Sequence, residues 1–336
     1  MRLHLALGSL AAASLREVFE GDLVAVCRDP FTEGRCRFDE PLSRREWLRR
    51  RKAWWLRTAS EVEDHRPQPA HGGDPADEEA PDEDEALARA LDRAQEFDSC
   101  VLWAADDLDE QLFACWSANE LLAYLPALPV WHARPSPKGS RYADVGQRSD
   151  DLRSVEARQL AESVRDAAAI WDAFVRASPD AFFALVTAAG CPAMADRLVH
   201  LLPRFPDRKD GLTIWERRIL RAFDEHAGEA TARTAVRVFG VGHHETPDGI
   251  GDATVFELMV ELAGTGLLAM SGDGRAMHST RFALTDLGRD VLEGRINRVA
   301  HVGFDRWIGG THLDATTGAL WWFADGALEW APVPDR

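Results

Sequence analysis

The sequence predicts an α/β N-terminal domain with a mostly parallel sheet, followed by a mainly α C-terminal region that ends in a β-hairpin. Two observations predict the first part: apolar strand patterns alternate with helical patterns, and the connections between them are short. A third observation predicts the second part, because helical periodicity continues almost without interruption over residues 151–206 and returns after them. The 336 residues are enough for about two domains.

The chain begins in βαβ order. Residues 3–8 alternate and end on a glycine, residues 9–20 have apolar side chains at helical spacing, and residues 22–28 are typical of a buried strand. Further elements are expected, in chain order, as a helix at 43–57, a helix at 85–97, a strand at 100–105, a helix at 107–123 and a strand at 129–133. This order predicts a Rossmann-like domain over residues 1–150.

An acidic segment at residues 61–84 interrupts this domain. Between residues 61 and 100 the chain has 14 acidic and 3 basic side chains, and the segment itself is rich in proline and glycine. Such a composition cannot bury enough apolar surface to offset the entropy lost on ordering. We therefore expect a mobile surface loop.

The second half of the chain is expected to contain a helical connector at 151–210 and a winged-helix-like domain with closing strands at 211–336. Helices are expected at 211–226, 230–239 and 253–263, followed by a turn at 272–274, a strand at 280–284 and a helix at 286–293. Three helices followed by a small hairpin is winged-helix order. Thr213 and Glu216 have the spacing of a capping box, and residues 311–332 alternate as two or three antiparallel strands.

The charge balance narrows the classes of partner. The 39 Lys and Arg side chains are outnumbered by 56 Asp and Glu, so the net charge of -17 opposes non-specific binding to nucleic acid or to anionic lipid. No stretch approaches the roughly 18 apolar residues that a membrane span needs. The five cysteines are scattered and form no Cys-x-x-Cys pair, so we expect reduced thiols, no metal site and a cytoplasmic protein.

A ligand site is expected at one edge of the predicted sheet. In an open parallel sheet ligands bind beyond the carboxyl ends of the strands, where a helix N-terminus offers free N–H groups to an anion. That rule selects Gly8 and Ser9 after the first strand, Arg28 and Asp29 after the second, Asp107 after the third, and His132 near the fourth. A small anionic or nucleotide-like ligand is the best match. No particular cofactor is predicted, because Gly8 belongs to neither a G-x-G-x-x-G motif nor a P-loop.

Two further side chains extend this site. Asp107 and Gln111 are four residues apart and share a helix face, and Trp103 on the preceding strand brings an aromatic plane toward the same edge. The structural alternative is that Asp107 caps the helix together with Glu110 and that Trp103 fills the core. Capping is the commoner use of Asp at such a position.

A hydrolytic reaction would assign roles to these groups. Asp29 or Asp107 would be the base or a metal ligand, Arg28 would clamp the anion, and a histidine, His4 or His132, would shuttle the proton. No complete catalytic signature supports this hypothesis, so whether the protein is an enzyme stays open.

Three residues outside the edge are further candidates for ligand binding: Arg35, Arg306 and His312. Arg306 and His312 could complete an anion site between domains, because domain interfaces favour ligand pockets. The alternative for Arg306 is structural. Residues 305–310 join a charged pair, a tryptophan and two glycines, which predicts a lock in which Arg306 pairs with a buried carboxylate and the glycines allow positive φ or close backbone approach.

The competing class of function is a non-enzymatic regulator or interaction module. The expected recognition helix, residues 252–261, carries three acids and no base, so a protein partner is favoured over DNA. The helix at 43–57 interleaves tryptophans with seven basic residues, a pattern that can bind nucleic acid but is more often a solvated face.

Several segments resemble an uncharacterised bacterial family, catalogued as domain of unknown function number eighteen thirty-five. His4–Leu15 is similar to its H-x-x-x-G-D-S opening. The other similar segments are Asp29–Gly34 (D-x-x-x-x-G-P), Trp103–Gln111 (L-W-x-x-x-D-x-x-x-Q), Gly211–Arg217, Thr285–Gly288 and Asp305–Leu313 (D-R-W-x-G-G-x-H-L). The resemblance spans nearly the whole chain but implies no activity, since none is established for the family.

This chain departs from the family pattern at three positions. Ser9 stands where the family has Asp, Leu10 where it has Ser, and Arg35 where it has Pro. If that Asp is catalytic or metal-binding in the relatives, this chain binds its ligand without turnover.

Overall fold

The structure is a computed structural model, and its residues fall into two compact units. It describes residues 1–61, 82–125, 127–135, 152–153, 155–159, 163–226, 228–237, 240, 250–272 and 274–335. Of these, the first unit contains those within 1–52, 82–199 and 309–311, and the second contains those within 53–61, 200–308 and 312–335. No described helix has the length and apolar character needed to cross a membrane.

The first unit is built on a sheet whose first four strands are all parallel. The strands are β1 (Arg2–Leu7), β2 (Leu23–Cys27), β3 (Ser99–Trp103) and β4 (Val130–Ala133), in the spatial order β2-β1-β3-β4. A two-residue strand, β5 (Arg158–Gln159), pairs antiparallel with β4 at the edge. The prediction of an α/β domain with a mostly parallel sheet is confirmed.

Several helices accompany this sheet in the described part of the first unit. They are α1 (Ser9–Val18), α2 (Arg44–Glu61), α3 (Glu83–Asp92), α4 (Leu108–Leu121), α5 (Ser163–Phe174) and α6 (Asp180–Thr187), with 3-10 turns at Ala94–Glu96 and Leu122–Tyr124. One face of β1 to β4 packs with Ala12 and Leu15 of α1. Side chains alternate along a strand, so Leu3, Leu5 and Leu102 point to the other face, where α3 and α4 pack.

The first unit extends beyond the predicted boundary at residue 150. Helix α4 is buried almost all round, because its one side contacts β1 and β3 and its other side contacts α5. The sheet covers only one of the two apolar sides of α4. A second layer of helices, α5 and α6, buries the other side. The stretch predicted as a connector therefore belongs in large part to the first core, up to Val199.

The predicted mobile loop lies mostly outside the described residues, since residues 62–81 are not described. Its last residues are ordered. Asp82 is the N-cap of α3 and accepts a hydrogen bond from the Asp84 N–H. Lys52 Nζ lies 2.8 Å from Asp82 Oδ1, so the end of the acidic segment pairs with a basic residue of α2.

The second unit combines helices with small antiparallel sheets. In chain order its elements are a 3-10 helix (Leu198–Arg204), α7 (Ile214–Glu225), β6 (Ala230–Thr231), α8 (Ala232–Arg237), α9 (Asp252–Gly264), β7 (Leu268–Ser271), β8 (Arg281–Leu284), α10 (Asp286–Leu292), α11 (Arg298–Val302), β9 (Asp305–Ile308), β10 (Thr311–Asp314), a 3-10 turn (Ala315–Thr317), β11 (Ala319–Ala324) and β12 (Ala327–Pro332). Strands β6, β8 and β7 form one antiparallel sheet, and β11 pairs antiparallel with β12. The predicted capping box is confirmed, because Thr213 and Glu216 bond each other's backbone N–H at the start of α7.

The two glycines after β9 pack against the end of α5, as the sequence predicts for positions of close backbone approach. A Cβ on Gly310 would lie 2.0 Å from the Val175 carbonyl oxygen, and one on Gly309 would lie 2.5 Å from that of Phe174. Gly309 also has φ +59°. No larger residue fits at either position without moving the backbone of α5.

Candidate functional site

The strand register defines the carboxyl edge of the sheet in the first unit. Leu7 is level with Cys27, and Leu5 is level with Leu102. The residues that follow β1, β2, β3 and β4 therefore meet at one edge. The chain order reverses between β1 and β3, the position at which doubly wound sheets bind ligands.

Gly8 begins helix α1 at this edge. It has φ +87°, and its N–H donates to the Cys27 carbonyl oxygen at 2.8 Å. The first turn of α1 contains no acidic residue. Among the described residues, no side chain caps the helix at this position and no atom lies within 4 Å of a Cβ built on Gly8. The start of α1 thus retains the positive end of a helix dipole. The side chain of Ser9 lies outside the described part of the chain.

Asp29 is held by a buried arginine. Both of its oxygens accept from Arg51, at 2.6 Å from Nε and 2.9 Å from Nη2, and the Arg51 side chain has no exposed surface. Burial raises the pKa of Asp29 to about 6, although Arg51 acts in the opposite direction. Both carboxylate oxygens are thus engaged by Arg51, and Asp29 is not free to act as a base.

The same arginine organises the loop that follows β2. Arg51 also donates to the carbonyl oxygens of Pro30 and Glu33 at 2.6 Å each and to that of Arg35 at 3.2 Å. Asp109 of α4 accepts from the Thr32 N–H at 2.6 Å. These bonds fix residues 29–36, which we call the braced loop.

The residues after β3 also have structural partners. Asp107 is the N-cap of α4 and accepts from the Asp109 N–H, so this part of the capping alternative is confirmed. Its expected partner in the cap, Glu110, accepts from the Ala105 N–H at 2.7 Å. Gln111 is fully buried, and its amide donates to Ala105 O at 3.2 Å and to Asp196 Oδ1 at 3.1 Å while it accepts from the Arg197 N–H at 3.0 Å. Gln111 thus joins α4 to the segment after α6.

His132 is buried at the end of β4. Its Nε2 lies 3.0 Å from the Ala104 carbonyl oxygen, and burial lowers its pKa below the ordinary value. Two residues further on, Arg134 bonds Asp106 and lies 3.1 Å from Asp196 Oδ2. His132 therefore ties β4 to the end of β3 as a neutral side chain.

The structure places His4 in the middle of β1 rather than at the carboxyl edge. Its Nδ1 accepts from the Trp103 indole N–H at 3.0 Å, so the ring proton is on Nε2, which lies 3.2 Å from Asp22 Oδ2. Its ring stacks on Phe19 at a centroid distance of 4.5 Å. Trp103 is also buried, so these two rings belong to the packing beneath α1.

Burial lowers the pKa of His4, although Asp22 opposes the shift. Because the unfolded chain takes up this proton near pH 6.5 and the folded chain does not, we expect the free energy of unfolding to fall as the pH decreases below about 6.5. One such histidine contributes at most about 1.4 kcal/mol per pH unit. Urea unfolding between pH 8 and 5.5 should give a flatter dependence for His4→Gln than for the wild type. A flatter dependence for the exposed control His200→Gln as well would contradict this assignment.

The two arginines that were predicted for ligand binding in the first unit are paired with acids. Arg28 bonds Glu83 at the start of α3, and its side chain is more than half exposed. Arg35 Nη2 lies 2.9 Å from Asp39 Oδ1, and its guanidinium lies over the ring of Phe38 at 5.5 Å. Only Arg28 is level with Gly8 at the carboxyl edge.

Arg306 and His312 are engaged within the second unit. Arg306 Nη2 lies 2.9 Å from Oε1 of the fully buried Glu216 and 2.7 Å from Oε1 of Glu261, so the predicted pairing with a buried carboxylate is confirmed. His312 stacks on Trp307 at 4.5 Å and lies 2.7 Å from Asp305. Both side chains stabilise the segment around β9.

A pocket of about 450 Å³ lies in the first unit, and none of the residues selected at the carboxyl edge lines it. We call it the tryptophan pocket, because Trp47 of α2, Trp116 of α4 and Trp171 of α5 form its walls. Trp47 and Trp116 are nearly parallel, at 16° and a centroid distance of 5.8 Å, and Trp171 is at 83° to Trp47. Phe38, Leu42 and Val175 complete the apolar lining.

The braced loop contributes to one side of this pocket through its last residue, Cys36. Phe31 is fully buried and its ring lies 5.6 to 5.8 Å from the rings of Trp47, Phe113, Trp116 and Trp171. The Trp47 indole N–H donates to the Cys36 carbonyl oxygen at 2.9 Å, and the Cys36 N–H donates to Gly309 O at 2.9 Å. The pair of Asp29 and Arg51 therefore supports the pocket.

Sequence reasoning did not find this pocket. Its three tryptophans belong to three helices that are far apart in the chain, and none of them forms a local motif with another. The one available signal was Trp47 in the basic helix, which the sequence offers as a packing residue or a nucleic-acid contact.

The comparisons with known proteins give no family. No protein-family model matches the chain, and a search of curated proteins found no similar sequence. Within the ranges that the structure describes, no three metal-ligating side chains lie close enough to hold an ion.

Proposed function

We propose that the first unit binds a small organic ligand and that the tryptophan pocket is its binding site. The observation that carries this proposal is a pocket of about 450 Å³ with three tryptophans in its walls. Small-molecule sites have volumes of about 300–1,000 Å³, with mostly apolar and aromatic linings and a few polar groups. Trp116 and Trp171 are buried, whereas Trp47 is only partly buried and offers its ring to a ligand.

Binding without catalysis is the form of the proposal that the side chains support. Both carboxylate oxygens of Asp29 accept hydrogen bonds from Arg51, and Asp107 caps α4. His4 and His132 are buried with lowered pKa values and with hydrogen-bond partners. A hydrolytic role for any of these four residues would require that it first lose its present partner.

Titration with indole, a neutral aromatic probe, tests the proposal. We expect saturable binding by isothermal titration calorimetry, and we expect Leu42→Trp to weaken it at least tenfold, because the new side chain fills the pocket from a loop position. Leu122→Trp adds the same side chain at an exposed position of the first unit and should bind indole as the wild type does. Absence of saturable binding, or unchanged binding by Leu42→Trp, would contradict the proposal.

A second candidate is the anion site at the start of α1. The absence of a side-chain cap at Gly8, the acid-free first turn and the open space beside Gly8 favour it. Arg28 is one strand away and level with Gly8, and its partner Glu83 would have to be displaced by the anion. A small phosphate-bearing or nucleotide-like ligand is the class that this edge would bind.

Substitution of Ser9 by aspartate tests that candidate. A carboxylate in the first turn of α1 would interact with the helix dipole itself and should abolish binding of inorganic phosphate. Ala13→Asp adds the same charge to an exposed position further along α1 and should leave phosphate binding unchanged. Equal phosphate binding by Ser9→Asp and the wild type would contradict an anion site at the start of α1.

We also propose a more specific fold for each of the two units. The order β2-β1-β3-β4 supports a Rossmann-like first unit, and the succession of α7, β6, α8, α9, β7 and β8 supports a winged-helix-like module in the second. Acids and no bases on α9 favour a protein partner over DNA for that module. The family resemblance stays a prediction.

A further inference from the structure

The charged residues at the rim of the tryptophan pocket indicate which ligands it selects. Four charged side chains line it: Arg37, Glu40, Arg44 and Glu120. Their formal charges sum to zero. Whether the pocket prefers an anionic or a cationic ligand therefore depends on which of these four side chains are already neutralised by partners.

Three of the four have partners. Arg44 Nε lies 2.5 Å from Glu120 Oε2, and Arg44 Nη1 lies 2.6 Å from Asp92 Oδ1. Glu40 Oε1 lies 2.5 Å from Arg50 Nη1, and this hydrogen bond lowers the pKa of Glu40. The acids of the rim are therefore compensated by arginines.

Arg37 is the exception. Its side chain is exposed, and its guanidinium forms no ion pair or hydrogen bond with another residue in the described part of the chain. A guanidinium offers parallel N–H groups that match a carboxylate or phosphate. Arg37 thus gives the pocket a local preference for an anion.

The aromatic walls favour a flat ring. The rings of Trp47 and Trp171 pack edge to face on each other at 83°. Trp47 is the less buried of the two and therefore presents the more aromatic surface to the pocket. Planar rings gain from offset stacking on one tryptophan and from edge-to-face contact with another, whereas saturated rings make only apolar contact.

We propose that the tryptophan pocket selects small planar aromatic anions, with the ring against Trp47 and the anionic group on Arg37. This inference rests on the proposed function, because it assigns a ligand class to the same pocket. It also separates the pocket from the edge candidate, which would bind an anion without any need for an aromatic ring.

Three probes of similar size test the inference on the full chain at pH 7.5 by calorimetry: 2-naphthoate, neutral 2-naphthamide and saturated decalin-2-carboxylate. We expect 2-naphthoate to bind about tenfold more tightly than either of the other two, which corresponds to about 1.4 kcal/mol. Arg37→Gln should reduce 2-naphthoate to the affinity of 2-naphthamide. Arg49→Gln, an exposed arginine of α2 that does not line the pocket, should preserve the wild-type difference.

Other results of these titrations would overturn different parts of the inference. Equal affinity for 2-naphthoate and 2-naphthamide would overturn the role of Arg37 and leave the proposed function intact. Equal affinity for 2-naphthoate and decalin-2-carboxylate would overturn the requirement for a flat ring. Binding of none of the three would overturn the inference, and the proposed function would fall with it only if indole did not bind either.

Discussion

Replacement of Arg51 by methionine is expected to lower the free energy of unfolding by about 3–5 kcal/mol. The substitution leaves the Asp29 carboxylate buried without its cation, and it removes the donors to three carbonyl groups of the braced loop. We also expect weaker binding of indole, because the braced loop contributes to one side of the tryptophan pocket.

Urea denaturation of Arg51→Met against Arg50→Met provides the comparison. Arg50 is the preceding residue of α2, is partly exposed, and pairs with Glu40 and Glu46, so its loss should destabilise the protein much less than the loss of Arg51. The double variant Asp29→Leu/Arg51→Met should lose less than the sum of the single losses, since the two residues share one interaction. Equal losses for Arg50→Met and Arg51→Met would show that the loop does not depend on this pair.

Replacement of Glu216 by alanine is expected to have a comparable effect in the second unit. The fully buried Glu216 carboxylate lies 3.1 Å from Arg298 Nη2, accepts from Arg306 at 2.9 Å, and completes the capping box of α7. Its removal leaves the buried Arg298 with Glu261 as the remaining partner in this cluster, so we expect a loss of about 3–5 kcal/mol. Arg306→Ala should lower the melting temperature by several degrees, a smaller effect, because Arg298 still compensates Glu216.

Thermal and urea unfolding of Glu216→Ala should be compared with Glu225→Ala, which removes an exposed acid from the last turn of the same helix. The acid dependence gives a second measurement. Although burial opposes the shift, Arg298 and Arg306 lower the pKa of Glu216, so its stabilising contribution is present above pH 4.3 or so and is lost as the pH falls below that value. If the free energy of unfolding of Glu216→Ala fell with decreasing pH as that of the wild type does, this result would contradict a buried ionised Glu216.

The strands and helices of the first unit were predictable because they obey local periodicity. β2 and β4 lie within the expected segments, and β1 and β3 each begin one residue before theirs. The extent of the unit was not predictable in the same way. Whether α5 packs on α4 or on a later element depends on contacts between distant residues, and helical periodicity reports only that each helix has a buried side.

The candidate site shows the same division. Gly8, Arg28 and Asp29 lie at the carboxyl edge, as their positions at the ends of predicted strands indicated. Those positions did not show which side chains these residues would bond. Arg51, which engages Asp29, is one of several similar arginines in the basic helix, and only the structure distinguishes the buried one. Burial of His4 in the middle of a strand likewise follows from the packing of Phe19 and Trp103 against it.

The most direct test of the ligand site is the ¹H–¹⁵N spectrum of the labelled full chain during titration with 2-naphthoate. Its 12 tryptophans give indole N–H signals that single Trp→Phe variants assign. We expect the signals of Trp47, Trp116 and Trp171 to shift together as the ligand concentration rises, while those of Trp321 and Trp330 in the second unit stay in place. Shifts confined to the backbone amides after Gly8, or to the tryptophans of the second unit, would contradict it.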